Sequence, residues 1–193
     1  MSTRTLEVSK PLGPLGVGLR YLGTSGNIVQ IVTVLQSSPL FGRAWPGEIL
    51  RGCSTGEAGP NPNPMSPDGY SAAFNGAAHL SLTIETPVAM LGATSIRFFR
   101  PDTTTRIGFQ FVKDEKSGLP RLKAEAAASF RSIASQLSGA DRLAAGDLIV
   151  GITYAGKAYA TDSCKAFTEH LQVAQGDMEL RIVRDTGQEN AAP

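Results

Sequence analysis

The sequence is poor in the residues that most often build catalytic and metal centres. Its 193 residues include two cysteines, two histidines and one tryptophan, and aromatic residues make up 7%. Cys53 and Cys164 lie in different halves of the chain, so two reduced thiols are expected rather than a disulfide framework. His79 and His170 are far apart in the sequence, which argues against a metal site. We expect neither a metal nor a cofactor.

An excess of charge of one sign and long apolar runs are also lacking. The chain has 18 basic and 17 acidic residues, a formal net charge of +1, so nucleic acid is not an expected partner. No stretch approaches the roughly 20 apolar residues of a membrane helix, and direct membrane insertion is not expected. The N-terminal residues 1–5 lack the apolar core of a signal peptide. These features favour a cytoplasmic location, or a peripheral one at a membrane held through partners.

Sequence motifs give little support for catalysis. The chain has no His-Glu-x-x-His, no Cys-x-x-Cys and no phosphate loop. The residues Gly23-Thr24-Ser25-Gly26 indicate a turn rather than a nucleophile. Because catalysis needs a positioned base beside a nucleophile, we expect that the protein is not an enzyme.

The length suits two domains of about 100 residues each, and the pattern of elements repeats irregularly. Each half predicts a strand, a glycine loop, two strands, a turn, a strand, a helix and a last strand. Five to six short strands with one or two helices per half indicate a mainly β, α+β fold built on a small bent sheet or open barrel.

The first half carries the clearer strand signals. Strands are predicted near Leu6–Lys10, Val17–Tyr21, Ile28–Leu35 and Ile49–Leu50. The segment 52–69 holds four prolines, four glycines and two asparagines, so it predicts a long exposed loop or, alternatively, a linker. After it we expect the three elements that complete this half: an Asn-Gly turn at Phe74-Asn75-Gly76, a helix capped by Thr83 with Ile84, Val88 and Leu91 on one face, and a closing strand at Ile96–Arg100.

The second half predicts the same elements with weaker signals. Ser163 is expected to cap a helix that runs to about Val173, with Phe167, Leu171 and Ala174 on its inner face. The tail 186–193 is polar and is expected to be disordered. The remaining expected elements are strands at Phe109–Phe111, Leu122–Ala124, Leu148–Ile152 and Met178–Ile182, and a helix at Ser129–Leu137.

Two motifs occur once in each half. The first is Pro14-Leu15-Gly16-Val17 and Arg106-Ile107-Gly108-Phe109; the second is Pro46-Gly47-Glu48-Ile49-Leu50 and Gly146-Asp147-Leu148-Ile149-Val150. In this order the chain resembles a tandem pair of PDZ domains, whose carboxylate-binding loop ends in Gly-Leu-Gly-Phe or looser variants and which have a Gly-Asp turn before a strand. The resemblance covers Leu6 to Arg184 and implies domains at 4–100 and 101–185. The second copy departs from the family by having Thr153-Tyr154 where an Asn-Gly turn is usual.

The resemblance implies a non-catalytic scaffold or adaptor that binds C-terminal tails of partner proteins, including membrane proteins. The tail would add as a strand between the second strand and the second helix of each module, and backbone N–H groups of the glycine loop would hold its carboxylate. In the first module this assigns Lys10, Leu15, Gly16, Val17, Leu19, Ile84, Val88 and Leu91. In the second module it assigns Arg106, Ile107, Gly108, Phe109, Phe111, Cys164, Thr168 and Leu171.

Alternatives remain at several points. Arg100 could replace Arg106, and a shift of one residue would place Ser163 and Phe167 in the groove of the second module. Ile84, as the first helical residue of the groove, implies an apolar ligand residue third from the end. The chain could also be a structural assembly subunit with non-binding grooves, or a regulatory fragment of a larger protein such as a protease. The sequence leaves the oligomeric state open.

Overall fold

The chain divides into two units, and both are mainly β, as the sequence predicts. A computed structural model describes residues 1–22, 28–56, 65–123 and 143–184. Unit 1 comprises Met1–Leu91 and Gly156–Ala160, and unit 2 comprises Gly92–Ala155 and Thr161–Pro193. Within these described ranges, each unit has one α-helix of ten residues among its strands.

Unit 1 is an antiparallel sheet. Its described elements up to Leu91 are β1 (Ser2–Ser9), β2 (Val17–Leu22), β3 (Ile28–Leu35), β4 (Ile49–Ser54), α1 (Pro67–Gly76) and β5 (His79–Thr86). The order of these strands is β1-β5-β4-β3-β2, α1 precedes β5, and a short 3-10 helix at Val88–Met90 follows β5.

Unit 2 repeats this arrangement. The chain forms β6 (Thr94–Arg100), β7 (Phe111–Lys113), β8 (Pro120–Leu122) and β9 (Leu148–Tyr154), then β10 (Lys157–Ala160), α2 (Cys164–Val173) and β11 (Gly176–Val183). The order within the unit is β6-β11-β9-β8-β7, again antiparallel, with the helix before the last strand. The repeat expected from the sequence is therefore present in the strand order.

Strand β10 belongs to unit 1, although it follows β9 in the sequence. Lys157, Ala158 and Tyr159 pair with Leu35, Val34 and Thr33 of β3. A strand has two edges, and β2 occupies one edge of β3 from Ile28 to Val34. The other edge is therefore shared, with β4 at residues 29–30 and β10 at residues 33–35. The sequence did not predict this strand.

The predicted helix at 83–91 is wrong, because residues 83–86 belong to β5 and the rest holds only the short 3-10 helix at Val88–Met90. Leu80, Leu82 and Ile84 are buried at a spacing of two residues, at most 2% exposed, and the strand pairs with β1 on one edge and β4 on the other. The period of two and the β-branched residues favour a strand. The expected turn at Phe74-Asn75-Gly76 is also wrong, since these residues end α1.

The glycine-acid motif of each half has the same structure. Glu48 and Asp147 are both 1% exposed at the start of β4 and β9. Each carboxylate accepts a hydrogen bond of 2.9 Å from the backbone N–H three residues earlier. Each also pairs at 2.8 Å with an arginine, Arg4 or Arg184. In both halves, therefore, the motif supplies a buried carboxylate that stabilises the turn through a backbone hydrogen bond and an ion pair with an arginine.

The domain boundary differs from the expected one. Strand β6, expected to close the first module, pairs with β11 from Gly176↔Arg100 to Ile182↔Thr94. It is therefore the opening strand of unit 2, and the boundary falls after Leu91 rather than after Arg100.

Some predicted elements fall wholly or partly outside the described residues. The predicted loop 52–69 begins within β4 and ends within α1, and its residues 57–64 are not described. The expected turn after β2, the helix at 129–137, residue 124 of the expected strand and the tail 186–193 also lie outside the described part of the chain.

Candidate functional site: a groove between β2 and α1

The loop before β2 is fixed by contacts at both ends. Leu15 is 2% exposed and anchors the loop in the core. The carbonyl of Gly16 accepts a hydrogen bond of 2.9 Å from the N–H of Leu35 on β3. Gly16 has φ +74°, a conformation that residues with a Cβ rarely adopt, and an added Cβ would lie 3.2 Å from the Cβ of Ser38. The glycine therefore permits a turn that ends directly on the strand edge.

Helix α1 forms the opposite wall. Its N-cap is Ser66, whose Oγ accepts a 3.0 Å hydrogen bond from the N–H of Gly69, and proline stands at the first helical position. Tyr70 and Phe74, four residues apart, are buried with ring centroids 5.9 Å apart. This anchored face leaves exposed residues on the neighbouring side of the helix.

The glycine loop and the end of α1 are joined directly. The N–H of Gly13 donates to the carbonyl of Asn75 at 3.3 Å, and the N–H of Lys10 donates to the carbonyl of Ala78 at 2.9 Å. These two bonds hold the loop closed against the C-terminal end of the helix.

A cavity of about 300 Å³ lies between β2 and α1, and we call it the unit 1 groove. Strand β2 pairs with β3 alone among the described strands, so one edge of β2 keeps unpaired backbone groups. The Cβ of any residue replacing Gly18 would lie 2.4 Å from Oγ1 of Thr33. The residues that line the unit 1 groove are Pro14, Leu15, Gly16, Val17, Gly18, Thr33, Leu35, Ser71, Phe74, Asn75 and Lys157.

Three of the residues predicted for the first module line this groove: Leu15, Gly16 and Val17. Leu19 lies on β2, partly buried against the core. Lys10 lies beside the loop, where its Nζ donates to the carbonyl of Gly13 at 2.6 Å and to that of Pro11 at 3.0 Å. Its ammonium therefore braces the loop.

The helical residues predicted for the first groove are wrong. Ile84 is fully buried in β5, and Val88 and Leu91, 63% and 40% exposed, lie in and just after the 3-10 helix rather than on a groove wall. The helix that forms the wall is α1, which the sequence analysis placed in a loop and a turn. Its signal was present in Ser66-Pro67-Asp68, an N-cap followed by proline and an acidic residue.

The corresponding loop of unit 2 precedes β7. Ile107 is buried, Gly108 has φ +84°, and Phe109 is partly buried. Phe111, in β7, packs edge-on against Phe167 of α2 with ring centroids 5.0 Å apart. Arg106 is exposed.

Helix α2 begins where the sequence predicts. Ser163 is its N-cap, with its Oγ accepting a 3.1 Å bond from the N–H of Ala166, and Cys164 is the first helical residue. Thr168 donates its hydroxyl to the carbonyl of Cys164 at 2.8 Å, and Leu171 is partly buried. The alternative with a shift of one residue is wrong, because Ser163 caps the helix and Phe167 is fully buried.

Arg100 is not available as a ligand-binding cation. Its guanidinium donates to four backbone carbonyls, two at the end of α2 and two in the turn after β6. Burial lowers its pKa from the usual value. Arg100 therefore stabilises the turn that leads into the glycine loop of unit 2.

Both cysteines are free thiols. Burial raises the pKa of Cys53 to about 11, which leaves it protonated and unreactive at neutral pH. Burial also raises the pKa of Cys164, while the charge of Lys113 lowers it. Lys113 is the last residue of β7, the strand against which α2 packs.

One serine motif typical of hydrolases was not recognised in the sequence. Gly52-Cys53-Ser54-Thr55-Gly56 has the Gly-x-Ser-x-Gly spacing of a nucleophile elbow. Such an elbow needs serine on a strained strand-to-helix turn, but Ser54 lies within β4 without positive φ. Its Oγ is buried and has no hydrogen-bond partner among the described residues. The geometry does not form a nucleophile.

No group of three or more His, Cys, Asp or Glu residues within 1–22, 28–56, 65–123 and 143–184 is placed to hold a metal ion. In the same part of the chain, no helix has the length and apolar character needed to cross a membrane.

Comparison with known proteins relates the chain to tandem PDZ structures. The structure of INAD PDZ45 in complex with NG2 peptide matches with 14% identity and a TM-score of 0.36, covering 95% of this chain and 89% of that chain. The complex structure of INAD PDZ45 and NORPA CC-PBM matches with 13% identity and a TM-score of 0.37, covering 95% and 91%. No family model and no curated protein matches.

The chain is thus similar to a tandem PDZ pair over nearly its whole length. At these TM-scores the superposition carries no functional argument. The chain itself contains two units with the same strand order, each with a glycine loop before its second strand and a helix that precedes β5 or β11.

Proposed function

We propose that the protein is a non-catalytic scaffold that binds C-terminal peptides of partner proteins, with unit 1 as its principal site. One observation carries the proposal: the unpaired edge of β2 faces α1 across a cavity that ends at a glycine loop. An extended peptide can pair with such an edge as an added strand.

The loop would hold the terminal carboxylate of the peptide. Successive backbone N–H groups in a tight turn form a concave anion site, and Leu15, Gly16 and Val17 supply such a turn. Leu15, Val17 and Phe74 give the same end of the groove an apolar surface, which suits an apolar last side chain. Lys10 adds a positive charge close behind the loop.

The helical side of the groove is more polar than the sequence suggested. The selection of an apolar residue third from the end was assigned to Ile84, which is buried in β5. Ser71 and Asn75 of α1 line the groove instead, and both can hydrogen-bond to a ligand.

Unit 2 would bind a peptide more weakly. The ring of Phe111 lies against Phe167 of α2, so the chain's own side chain covers part of the space between β7 and the helix. This contact favours the assembly alternative for unit 2, in which the module serves structure more than capture. Partners would then be selected mainly by unit 1, in the cytoplasm or at a membrane that the partner reaches.

The test is a binding screen of the whole chain against a library of peptides with free C-termini. Each recovered peptide is titrated beside its C-terminally amidated form, with fluorescence anisotropy as the readout and the amide resonances of Gly16 and Gly18 as a monitor of unit 1. Selective binding that is lost on amidation supports carboxylate capture. A folded protein that binds no peptide, or binds both forms equally, would overturn the proposal.

A further inference from the structure

Among the described residues that line the unit 1 groove, one is charged, and β10 supplies it. Lys157 is the first residue of β10 and lies beside Leu35 of β3. The other lining residues of the groove are apolar or carry neutral polar side chains. A cation from a distant part of the sequence therefore determines the charge of this surface.

The strand register places this cation on a definite face of the sheet. Directly opposed residues on neighbouring strands share a face, and successive residues alternate. Lys157 and Leu35 are opposed, and Tyr159, Thr33 and Gly18 are opposed in the same way two residues along. The intervening residues Val34 and Ala158 are buried. Lys157 thus lies on the face of the sheet that is turned away from the core.

Lys157 would be separated from a ligand on β2 by the width of β3 and β2, and Leu35 of β3 lies on the same face between them. A strand added to the edge of β2 would be three strand spacings from β10, about 14 Å. Gly18, the β2 residue on this face, has no side chain that could intervene. A lysine and a glutamate side chain that lean towards each other over this face leave their charges a few ångströms apart, a distance over which exposed charges still interact through water.

The ammonium of Lys157 is held without being neutralised. It lies 5.1 Å from the ring centroid of Tyr159, a cation–π contact that orients a charge but leaves it in place. No salt bridge joins Lys157 to an acidic residue within the described part of the chain. Lys10, by contrast, is engaged by two carbonyls of its own loop.

We propose that Lys157 is a specificity-determining residue of the unit 1 groove, and that it selects peptides with Glu or Asp at the next-to-last position. The proposal rests on the proposed function, because it needs a C-terminal peptide added to β2. If the last side chain enters the groove towards α1, the alternation of a strand directs the next-to-last side chain to the face that carries Lys157.

The experiment is a charge-swap cycle in the whole chain. Wild type, Lys157→Gln and Lys157→Glu are titrated with three versions of one free-C-terminus peptide that differ at the next-to-last position: Glu, Ala and Lys. The matched control is Lys116→Glu, which changes the net charge equally at an exposed lysine outside the groove lining. Unit 1 amide resonances report binding.

We expect wild type to prefer the Glu peptide over the Ala peptide by about three-fold, as for a partly exposed ion pair. Lys157→Gln should abolish this preference, and Lys157→Glu should reverse it by favouring the Lys peptide about ten-fold over the Glu peptide. Lys116→Glu should leave the wild-type preference unchanged.

The remaining outcomes separate the two proposals. Carboxylate-dependent binding with preferences that the Lys157 variants do not alter would overturn the assignment of Lys157 alone. An equal loss of affinity for the Glu and Ala peptides in Lys157→Gln would also overturn it, since Lys157 would then hold the terminal carboxylate. If no version of the peptide binds to folded wild type, both proposals fail.

Discussion

Arg4 and Glu48 are joined by two hydrogen bonds of 2.8 Å, in which the two terminal nitrogens of the guanidinium donate to different oxygens of the carboxylate. The carboxylate is 1% exposed and also accepts bonds from the hydroxyl of Thr86 and the N–H of Trp45, at 2.7 and 2.9 Å. One acidic side chain therefore connects β1, the turn before β4 and the end of β5.

Replacing Glu48 with Ala should lower the free energy of unfolding by about 2 kcal/mol, because four donors, two on Arg4 and one each on Thr86 and Trp45, lose their acceptor. Glu48→Gln should cost less, since one amide oxygen remains. Urea denaturation measures both. The control is Glu169→Gln on α2, whose carboxylate is 62% exposed and 3.9 Å from Lys165, and it should have almost no effect. A loss for Glu48→Ala no larger than that of the control would show that the network does not stabilise the fold.

Asp114 should make the free energy of unfolding depend on pH in the acidic range. The hydroxyl and N–H of Ser117 and the guanidinium of Arg121 hold the pKa of Asp114 at about 2, below its ordinary 3.8. A lowered carboxyl pKa contributes stability above the unfolded value and loses it as pH falls through the folded one, here from pH 4 to pH 2. The contribution should be about 1 to 2 kcal/mol. The difference in unfolding free energy between wild type and Asp114→Asn should shrink over this range. A constant difference would contradict the assignment.

A side chain at Gly18 should destabilise the fold because of a close contact with Thr33. A Cβ at position 18 would lie 2.4 Å from Oγ1 of Thr33, so Gly18→Ala should lower the free energy of unfolding by about 2 kcal/mol. Thr33→Ala removes that oxygen, and the double variant should lose less stability than the sum of the two single changes. Thermal or urea unfolding of the four proteins gives the coupling. Strict additivity would mean that the close contact with Thr33 is not the cause.

Ser71 should tolerate a large side chain at the expense of binding. It is exposed on α1 and lines the unit 1 groove, so Ser71→Trp should fill the groove and weaken peptide binding at unit 1 at least about ten-fold, while the fold is kept. Ala72→Trp is the matched control, because Ala72 is the next helical residue and is also exposed but lies outside the groove lining. Unit 1 amide resonances measure the affinity. Equal effects of the two changes would argue against this groove as the binding site.

Much of the fold was predictable where local pattern and burial agree. The strand at Ile28–Leu35 and the helix capped by Ser163 have the predicted bounds, because a β-branched run and an N-cap are local signals. The segment from Phe74 to Leu91 was predicted incorrectly. Its spaced apolar residues fit a helix and a strand almost equally well, and pairing with two neighbouring strands decides for the strand.

Some residues of the candidate site were likewise predicted from the sequence, and others were missed. The glycine loop residues Leu15, Gly16 and Val17 were predicted from a short motif and line the groove. Ser71 and Asn75 were missed because α1 was taken for loop and turn. Lys157 was missed for another reason, since nothing near it in the sequence indicates that its strand pairs with β3.

The sequence by itself determined the repeated order of strands, the two glycine loops and the two turns that contain Glu48 and Asp147, because propensity, turn chemistry and periodicity act over a few residues. Only the tertiary structure decided which helix faces β2, to which unit β6 belongs and that β10 completes the edge of β3. These are choices of strand and helix partners, and they depend on which distant surfaces can be buried together. That information is not contained in any short stretch of the chain.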